Sequence, residues 1–324
     1  MSKPYIKLLD IYYGTKCNLA CEQCDTRSDI IRTTEADPDI DAILEGITLA
    51  QQRFEIDLYS VLGGEPLLYL DKIDVIIKYI RQTDPTAKIQ FSTNGALLLK
   101  KANELADIMR THSVSLFVCN HFAAFDPIKT KNIKAGVDKL VQLLDMKEDN
   151  ADKFFKDFID FSNPRNDPYM ATWIANNEET FPREEPEEQY FHNDSIFVHF
   201  RPQYDFKKNH YMLDGKPKPF KTGNPALSYR SGCSSVMCNF LAGSKLYKCA
   251  ALGTLEKLLD YYDSKEDLDW QKYLNYKHLD LKNCTLEEVT NFSNSKYSCI
   301  EQCDMCGVDA FMKTRETVIH VHRS

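Results

Sequence analysis

Apolar and polar positions follow two periods along the first two hundred residues. Residues 6–13, 57–62, 88–91 and 113–119 are short, mostly apolar runs bounded by Gly, Pro, Asn or Asp, the pattern of buried strands. Between them apolar residues recur every three or four positions: Ile40, Ile43, Leu44 and Ile47; Leu70, Ile73, Ile76, Ile77 and Ile80; the stretch 97–109; and Val137, Leu140, Val141 and Leu144. That spacing gives each helix one apolar face. Asp37-Pro38 predicts the start of the first helix, with Asp37 capping free amides and Pro38 in the first turn, and Asp84-Pro85 predicts the end of the second. Strands alternating with helices of this length predict the α/β class: a parallel sheet with right-handed crossovers, curled into a partial (β/α)6-type barrel.

The pattern loosens after residue 146. Residues 147–191 are rich in acidic and aromatic side chains and are broken by Asn163-Pro164 and by Glu184-Glu185-Pro186-Glu187-Glu188. They read equally as an insert or lid over a site and as a solvated connector. Residues 196–201 read as another barrel strand, with its place in the order left open. The Lys- and Pro-rich stretch 207–224 predicts a linker, and 225–324 a small cysteine-rich α+β extension. The expected organisation is therefore 1–206, a linker 207–224, and 225–324.

Composition narrows the classes. At 324 residues the chain is long enough for a large core, and 43% hydrophobic with 27% charged residues is ordinary for a globular protein. A net charge of −8 argues against broad nucleic-acid binding. No apolar run reaches the roughly 20 residues needed to span a bilayer, and Met1-Ser2-Lys3-Pro4-Tyr5 lacks the apolar core of a signal peptide. The expectation is a cytoplasmic protein without membrane or nucleic-acid partners. Of eleven cysteines, nine fall in short-spaced groups, which points to metal binding rather than disulfides. Cys119 and Cys284 stand apart and read as small buried hydrophobes.

The chemistry centres on Cys17-x3-Cys21-x2-Cys24, directly after the first strand. Three thiolates this close can hold three irons of a cubane cluster and leave the fourth iron open. A structural zinc site wants four ligands, usually as two pairs, and this run supplies three. Two turns follow at predicted strand ends: Gly63-Gly64-Glu65-Pro66 after 57–62, and Ser92-Thr93-Asn94-Gly95 after 88–91. Parallel barrels build their sites at that end of the strands.

The cysteine triad, the GGEP turn and the STNG turn, in this order, resemble the radical S-adenosylmethionine (SAM) enzymes over about the first two hundred residues. The resemblance implies a [4Fe–4S] cluster on Cys17, Cys21 and Cys24, at whose open iron SAM binds and is reductively split. The product is a 5′-deoxyadenosyl radical that takes a hydrogen atom from substrate. It implies SAM contacts from Gly63, Gly64, Glu65 and Pro66, from Ser92, Thr93 and Asn94, and from Asn120 and Arg201, with Glu65 facing the SAM ammonium. Asn120 and His121 end the fourth predicted strand, where ribose or substrate contact and a local structural role are both open. Arg201 is open to a SAM carboxylate or an ordinary ion pair. The family places an aromatic residue before the third cysteine; Gln23 stands there and cannot stack on adenine in the same way.

The tail resembles the auxiliary-cluster extensions called SPASM or twitch domains. Cys233-x9-Gly243-x5-Cys249 lies one residue off that family's pattern, and 241–247 reads as its hairpin. A twitch-like single [4Fe–4S] cluster on Cys238, Cys249, Cys303 and Cys306 is implied, with Cys233 and Cys299 as alternates, or a zinc on the same thiolates. The second C-x3-C-x2-C, Cys299 to Cys306, has no GGEP or STNG turn behind it and anchors no second barrel. Peptide or protein side chains lead as substrates by resemblance, with a sugar, nucleoside or amino acid as the alternative, and a flavodoxin- or ferredoxin-type protein as electron donor. A non-catalytic zinc adaptor is the rival of a different class, and it leaves both turns without a role.

Overall fold

The structure is a computed structural model that describes residues 3–22, 24–31, 37–123, 125–149, 188–193, 196–202, 208–230, 238–295 and 298–307. In chain order, β1 (Tyr5–Tyr12) leads through the cysteine loop to the single-turn helix α1 (Ser28–Ile31), then α2 (Ile40–Arg53) and β2 (Glu55–Leu62). Next come α3 (Leu70–Thr83), β3 (Lys88–Thr93), α4 (Leu98–His112), β4 (Val114–Asn120) and α5 (Pro127–Leu143). β5 (Lys147–Asp149), β6 (Gln189–His192) and β7 (Phe197–Pro202) follow, then β8 (Tyr211–Leu213) and β9 (Lys216–Lys218). Last are α6 (Pro225–Arg230), β10 (Cys238–Ala242), β11 (Lys245–Tyr247), α7 (Ala250–Gly253), α8 (Leu255–Tyr261), α9 (Gln271–Leu274), β12 (Leu279–Asp280) and α10 (Leu286–Ser295).

The chain divides into two compact units, Met1–Gly64 with Asp205–Ser324, and Glu65–Tyr204. In the first, β1 lies between β2 and β10 and runs parallel to both. β11 pairs antiparallel with β10 and β12 with β11, so 241–247 is the expected hairpin. The stretch expected as a bare linker carries the antiparallel pair β8 and β9. α2 buries Ile43, Gly46, Ile47 and Ala50. At Gly46 a Cβ would lie 2.0 Å from the Gly243 carbonyl oxygen, so a side chain there is incompatible with the hairpin turn. The cap of α2 differs from the expectation: Asp39, not Asp37, accepts the Ala42 amide, which places Pro38 ahead of the helix. Asp39 follows Pro38, and the residue nearest the apolar periodicity supplies the cap. A second core gathers Leu252, Leu255, Leu258, Leu259, Trp270, Tyr273 and Met305, and the Trp270 indole donates to the Pro217 carbonyl at 3.0 Å.

In the second unit β3, β4 and β7 form a parallel ladder, which settles the place of the strand expected at 196–201. β6 pairs antiparallel with β7 and β5 with β6. α3 buries Leu70, Ile73, Ile76, Ile77 and Ile80, each contributing roughly 1.5–3 kcal/mol when fully buried. α4 runs to His112, with Ser113 left-handed at its end, so β4 begins one residue later than expected. The α/β class with parallel strands is what the hydrophobic pattern predicts. No helix among the described residues is long and apolar enough to cross a membrane.

Candidate active site: the cysteine loop and the turns that follow it

Within the first unit, β1 delivers the chain into the cysteine loop, and β2 ends beside it in the glycine turn. Successive turns fold the loop: Cys24 N–H bonds to Cys21 C=O, and Arg27 N–H to Cys24 C=O. The two glycines are required by how closely the turn approaches this loop. A Cβ on Gly64 would stand 2.0 Å from the Lys16 carbonyl oxygen, and one on Gly63 2.5 Å from the Tyr13 ring. The Gly64 amide donates to Gly14 C=O at 2.9 Å. The expectation that these glycines clear space for a ligand thus has a second physical reason within the chain itself.

Three sulfurs share the loop. Leu19 N–H lies 3.4 Å from Cys17 Sγ, and Cys24 Sγ is 3.3 Å from Thr26 Oγ1. Thr26 also donates to Gly63 C=O at 3.1 Å, and Ser28 to Thr15 C=O at 2.7 Å, tying loop to turn. Burial pushes the Cys21 thiol up, and its neighbours Cys24 and Cys17, with Asp29, push it further. Burial also raises Cys24, against the Thr26 hydrogen bond. Among the described residues no three Cys, His, Asp or Glu side chains close around one point as a finished metal site. The donor set nevertheless fits an iron–sulfur cluster: three soft thiols on one short loop, with burial holding Cys21 and Cys24 toward the protonated form that binding to iron would relieve.

Sequence reasoning passed over Asp10. It lies on β1 in register with Ser60, and its carboxyl hydrogen-bonds Ser60 and Cys238. Asp10 keeps some exposed surface, yet burial lifts its carboxyl to about 7, with Asp25 adding to the rise. A lone acid within Leu8-Leu9-Asp10-Ile11 was the available signal, because a carboxylate inside an apolar strand carries a desolvation cost.

In the second unit Glu65 opens the short turn Pro66–Leu68 and accepts the Leu67 amide at 3.0 Å. Its two oxygens also accept the Thr93 hydroxyl at 2.6 Å and the Asn94 amide at 2.8 Å. The residue is 0% exposed, and burial lifts its carboxyl to about 7 against these three bonds. The GGEP carboxylate therefore holds the STNG turn in place. Thr93 Oγ1 in turn accepts Gly95 N–H, and Asn94 Oδ1 accepts Ala96 N–H. Ser92 is part-exposed on β3. Asn120 spends its amide locally, accepting Phe122 N–H and donating to Thr130. Arg201 is in register with Cys119, whose electrostatic interaction with it is the largest cause raising the guanidinium's pKa, against burial; a hydrogen bond to Cys119, then Glu188 and Tyr190, add to the rise. Burial, then Arg201, lowers His121 to about 4, so it is neutral.

The tail cysteines divide. Cys238 and Cys249 flank the hairpin, whose register pairs Phe240 with Tyr247 and Leu241 with Leu246; Cys238 opens β10 and Cys249 lies two residues beyond β11. Cys249 and Cys306 border the second core, and Cys249 and Cys303 both bear on the Tyr276 hydroxyl. Cys299 is exposed, and Cys233 and Gln23 lie outside the described residues.

Residues 11–145 match the family model described as the radical SAM superfamily. GTP 3′,8-cyclase from Staphylococcus aureus is 33% identical over a match covering 33% of this chain and 38% of the cyclase, so the likeness spans well under half of that relative. The crystal structure of BtrN with AdoMet and 2-DOIA aligns over 99% of this chain and 100% of its own, at 13% identity and a TM-score of 0.45. Streptococcus suis SuiB bound to precursor peptide SuiA aligns over 95% of this chain and 71% of its own, at 13% identity and a TM-score of 0.40. The triad lies near the start of the span that matches the radical SAM superfamily model, and both turns lie inside it.

Proposed function

We propose that this chain is a radical SAM enzyme that modifies a peptide or protein side chain. The observation that carries the radical chemistry is the three-thiol loop locked against a glycine turn that tolerates no side chain, inside the span that matches the family. Cys17, Cys21 and Cys24 would hold the cluster. Glu65, Thr93 and Asn94 set the turns from which SAM is bound, together with Gly63, Gly64, Pro66, Ser92, Asn120 and Arg201. When both are bound, the cluster and SAM supply a 5′-deoxyadenosyl radical that removes a hydrogen atom from substrate. The chain's own work is to orient SAM, to keep water from the radical and to present the substrate hydrogen. A neutral His121 beside Arg201 donates or accepts one hydrogen bond without adding charge.

The peptide reading rests on the cysteine-rich tail, where Cys249, Cys303 and Cys306 gather about one core and, with Cys238, would ligate an auxiliary [4Fe–4S] cluster. The domain arrangement we propose remains a barrel over 1–206 with the tail from 225, fed by a flavodoxin- or ferredoxin-type donor. A small-molecule substrate is the second reading, supported by the likeness to GTP 3′,8-cyclase. Anaerobic reconstitution followed by dithionite and SAM should yield 5′-deoxyadenosine; a colourless, zinc-containing protein that yields none would overturn the reading. Deuterium transfer from a labelled peptide into 5′-deoxyadenosine selects the peptide reading, and transfer from a small metabolite alone selects the second.

A further inference from the structure

Arg27 is a buried cation that the proposed chemistry leaves unused. It follows the cysteine triad by three residues and is 0% exposed. Its backbone φ is +65°, the left-handed region that a residue with a Cβ adopts at a cost of roughly 1 kcal/mol. Its Nη2 donates to Asn209 Oδ1 at 3.1 Å, and the same oxygen lies 2.9 Å from His210 Nδ1. One carbonyl oxygen facing both groups fixes the imidazole as the Nδ1–H tautomer. Nε and Nη1 of Arg27 and Nδ2 of Asn209 are buried and meet no acceptor among the described residues. Three donors left so, on a cation and an adjacent amide, are costly in a folded interior and call for an acceptor.

We propose that Arg27, Asn209 and His210 form a binding site for a carboxylate. The charge selects the class. Of Arg27, Asn209 and His210 only the guanidinium is charged, since burial and then Arg27 lower His210 to about 3 and keep it neutral. A monoanion balances one guanidinium, whereas a phosphate dianion would bring a second buried charge with no counterpart. The amide and guanidinium donors suit carboxylate oxygens. The site is anchored on both sides: Arg27 N–H to Cys24 C=O, and Lys208 C=O, next to Asn209, to Gly307 N–H directly after Cys306. It therefore ties the cluster loop to the Cys303–Cys306 turn, and a carboxylate bound there would set their relative fixity. Two carboxylates are available to such an enzyme, that of the SAM methionyl end and one on the substrate.

The test uses the reconstituted full chain, with formate as probe and chloride at equal ionic strength as control. Formate should raise the thermal midpoint of the wild type in a saturable manner, since a ligand bound only by the native state stabilises it. The rise should vanish in Arg27→Gln and Arg27→Met, persist in weakened form in Arg27→Lys, and shrink in Asn209→Leu, which keeps the guanidinium. A saturable rise of equal size in the wild type and in Arg27→Gln, or no rise beyond chloride in the wild type, overturns the site. Within a positive result, SAM separates the sources. If SAM abolishes the formate response and Arg27→Gln weakens SAM binding about tenfold or more, the carboxylate is SAM's own. If the formate and SAM effects add and SAM affinity is unchanged in Arg27→Gln, it belongs to the substrate. Should Arg27→Gln fail to fold, Asn209→Leu and Arg27→Lys carry the comparison. Loss of cluster loading without loss of the formate response would count against the radical reading and not against this one.

Discussion

Replacing Glu65 by Gln separates the ionisation of this carboxylate from its role as a hydrogen-bond clamp. The side chain is 0% exposed and accepts the Thr93 hydroxyl, the Asn94 amide and the Leu67 amide at 2.6, 2.8 and 3.0 Å. Burial raises its carboxyl from 4.5 to about 7. Because the folded value exceeds the unfolded one, the native state binds more protons across that interval. The contribution is therefore fully present below pH 4.5 and is lost as pH rises through about 7, by about 3 kcal/mol in total. Gln does not titrate and keeps that component flat. It adds a constant cost of about 1–3 kcal/mol, because its amide N–H₂ turns a donor toward one of the three donors. In urea unfolding followed by circular dichroism from pH 4.5 to 8, the wild type should lose its margin over Glu65→Gln by about 3 kcal/mol, and the order of the two can invert. Parallel profiles would refute the reasoning. The same ionisation bears on function: a SAM ammonium brought to this carboxylate favours its charged form, so SAM binding should release a proton near pH 7 in the wild type and none in Glu65→Gln.

Three further outcomes follow from the geometry. Gly64→Ala places a methyl group 2.0 Å from the Lys16 carbonyl and should displace the cysteine loop, cutting iron incorporation per chain several-fold while far-UV circular dichroism is largely retained. Asp10, raised from 3.8 to about 7 by burial, makes a contribution of the same sign as Glu65, present below pH 3.8 and lost toward 7; Asp10→Asn should remove that part of the pH profile, as read by thermal melts. Replacing Cys17, Cys21 and Cys24 together by Ala should leave about four irons per chain after reconstitution if the tail holds its own cluster, and zinc or no metal would refute that cluster.

The elements were legible because their causes are local. The face of α3, its stop at Asp84, the strand before each turn and the 241–247 hairpin all follow from spacing and turn residues within a few positions of one another. The misplacements are of the same local kind: two acids flank Pro38, and only the folded chain shows that Asp39 reaches the Ala42 amide. β5 and β6 were not separable from a polar connector, because three- and four-residue strands carry too few positions to display a period.

The sequence names candidate site residues but not their partners. Glu65 reads from the sequence as a ligand for SAM, and the fold gives its oxygens to Thr93 and Asn94, 28 and 29 residues away. The sequence assigns Arg27 no role, and its partner is 182 residues distant. Asp10 is a single polar interruption until register sets it beside Ser60 and hydrogen bonding joins it to Cys238. In each case the charge is visible in the chain, whereas its cost and its compensation depend on which remote hydrogen-bond partner the topology brings within 3 Å or so. Burial raises the price of every such pairing, so the groups that a linear reading treats as ordinary are those whose titration and ligand response most directly test the proposed chemistry.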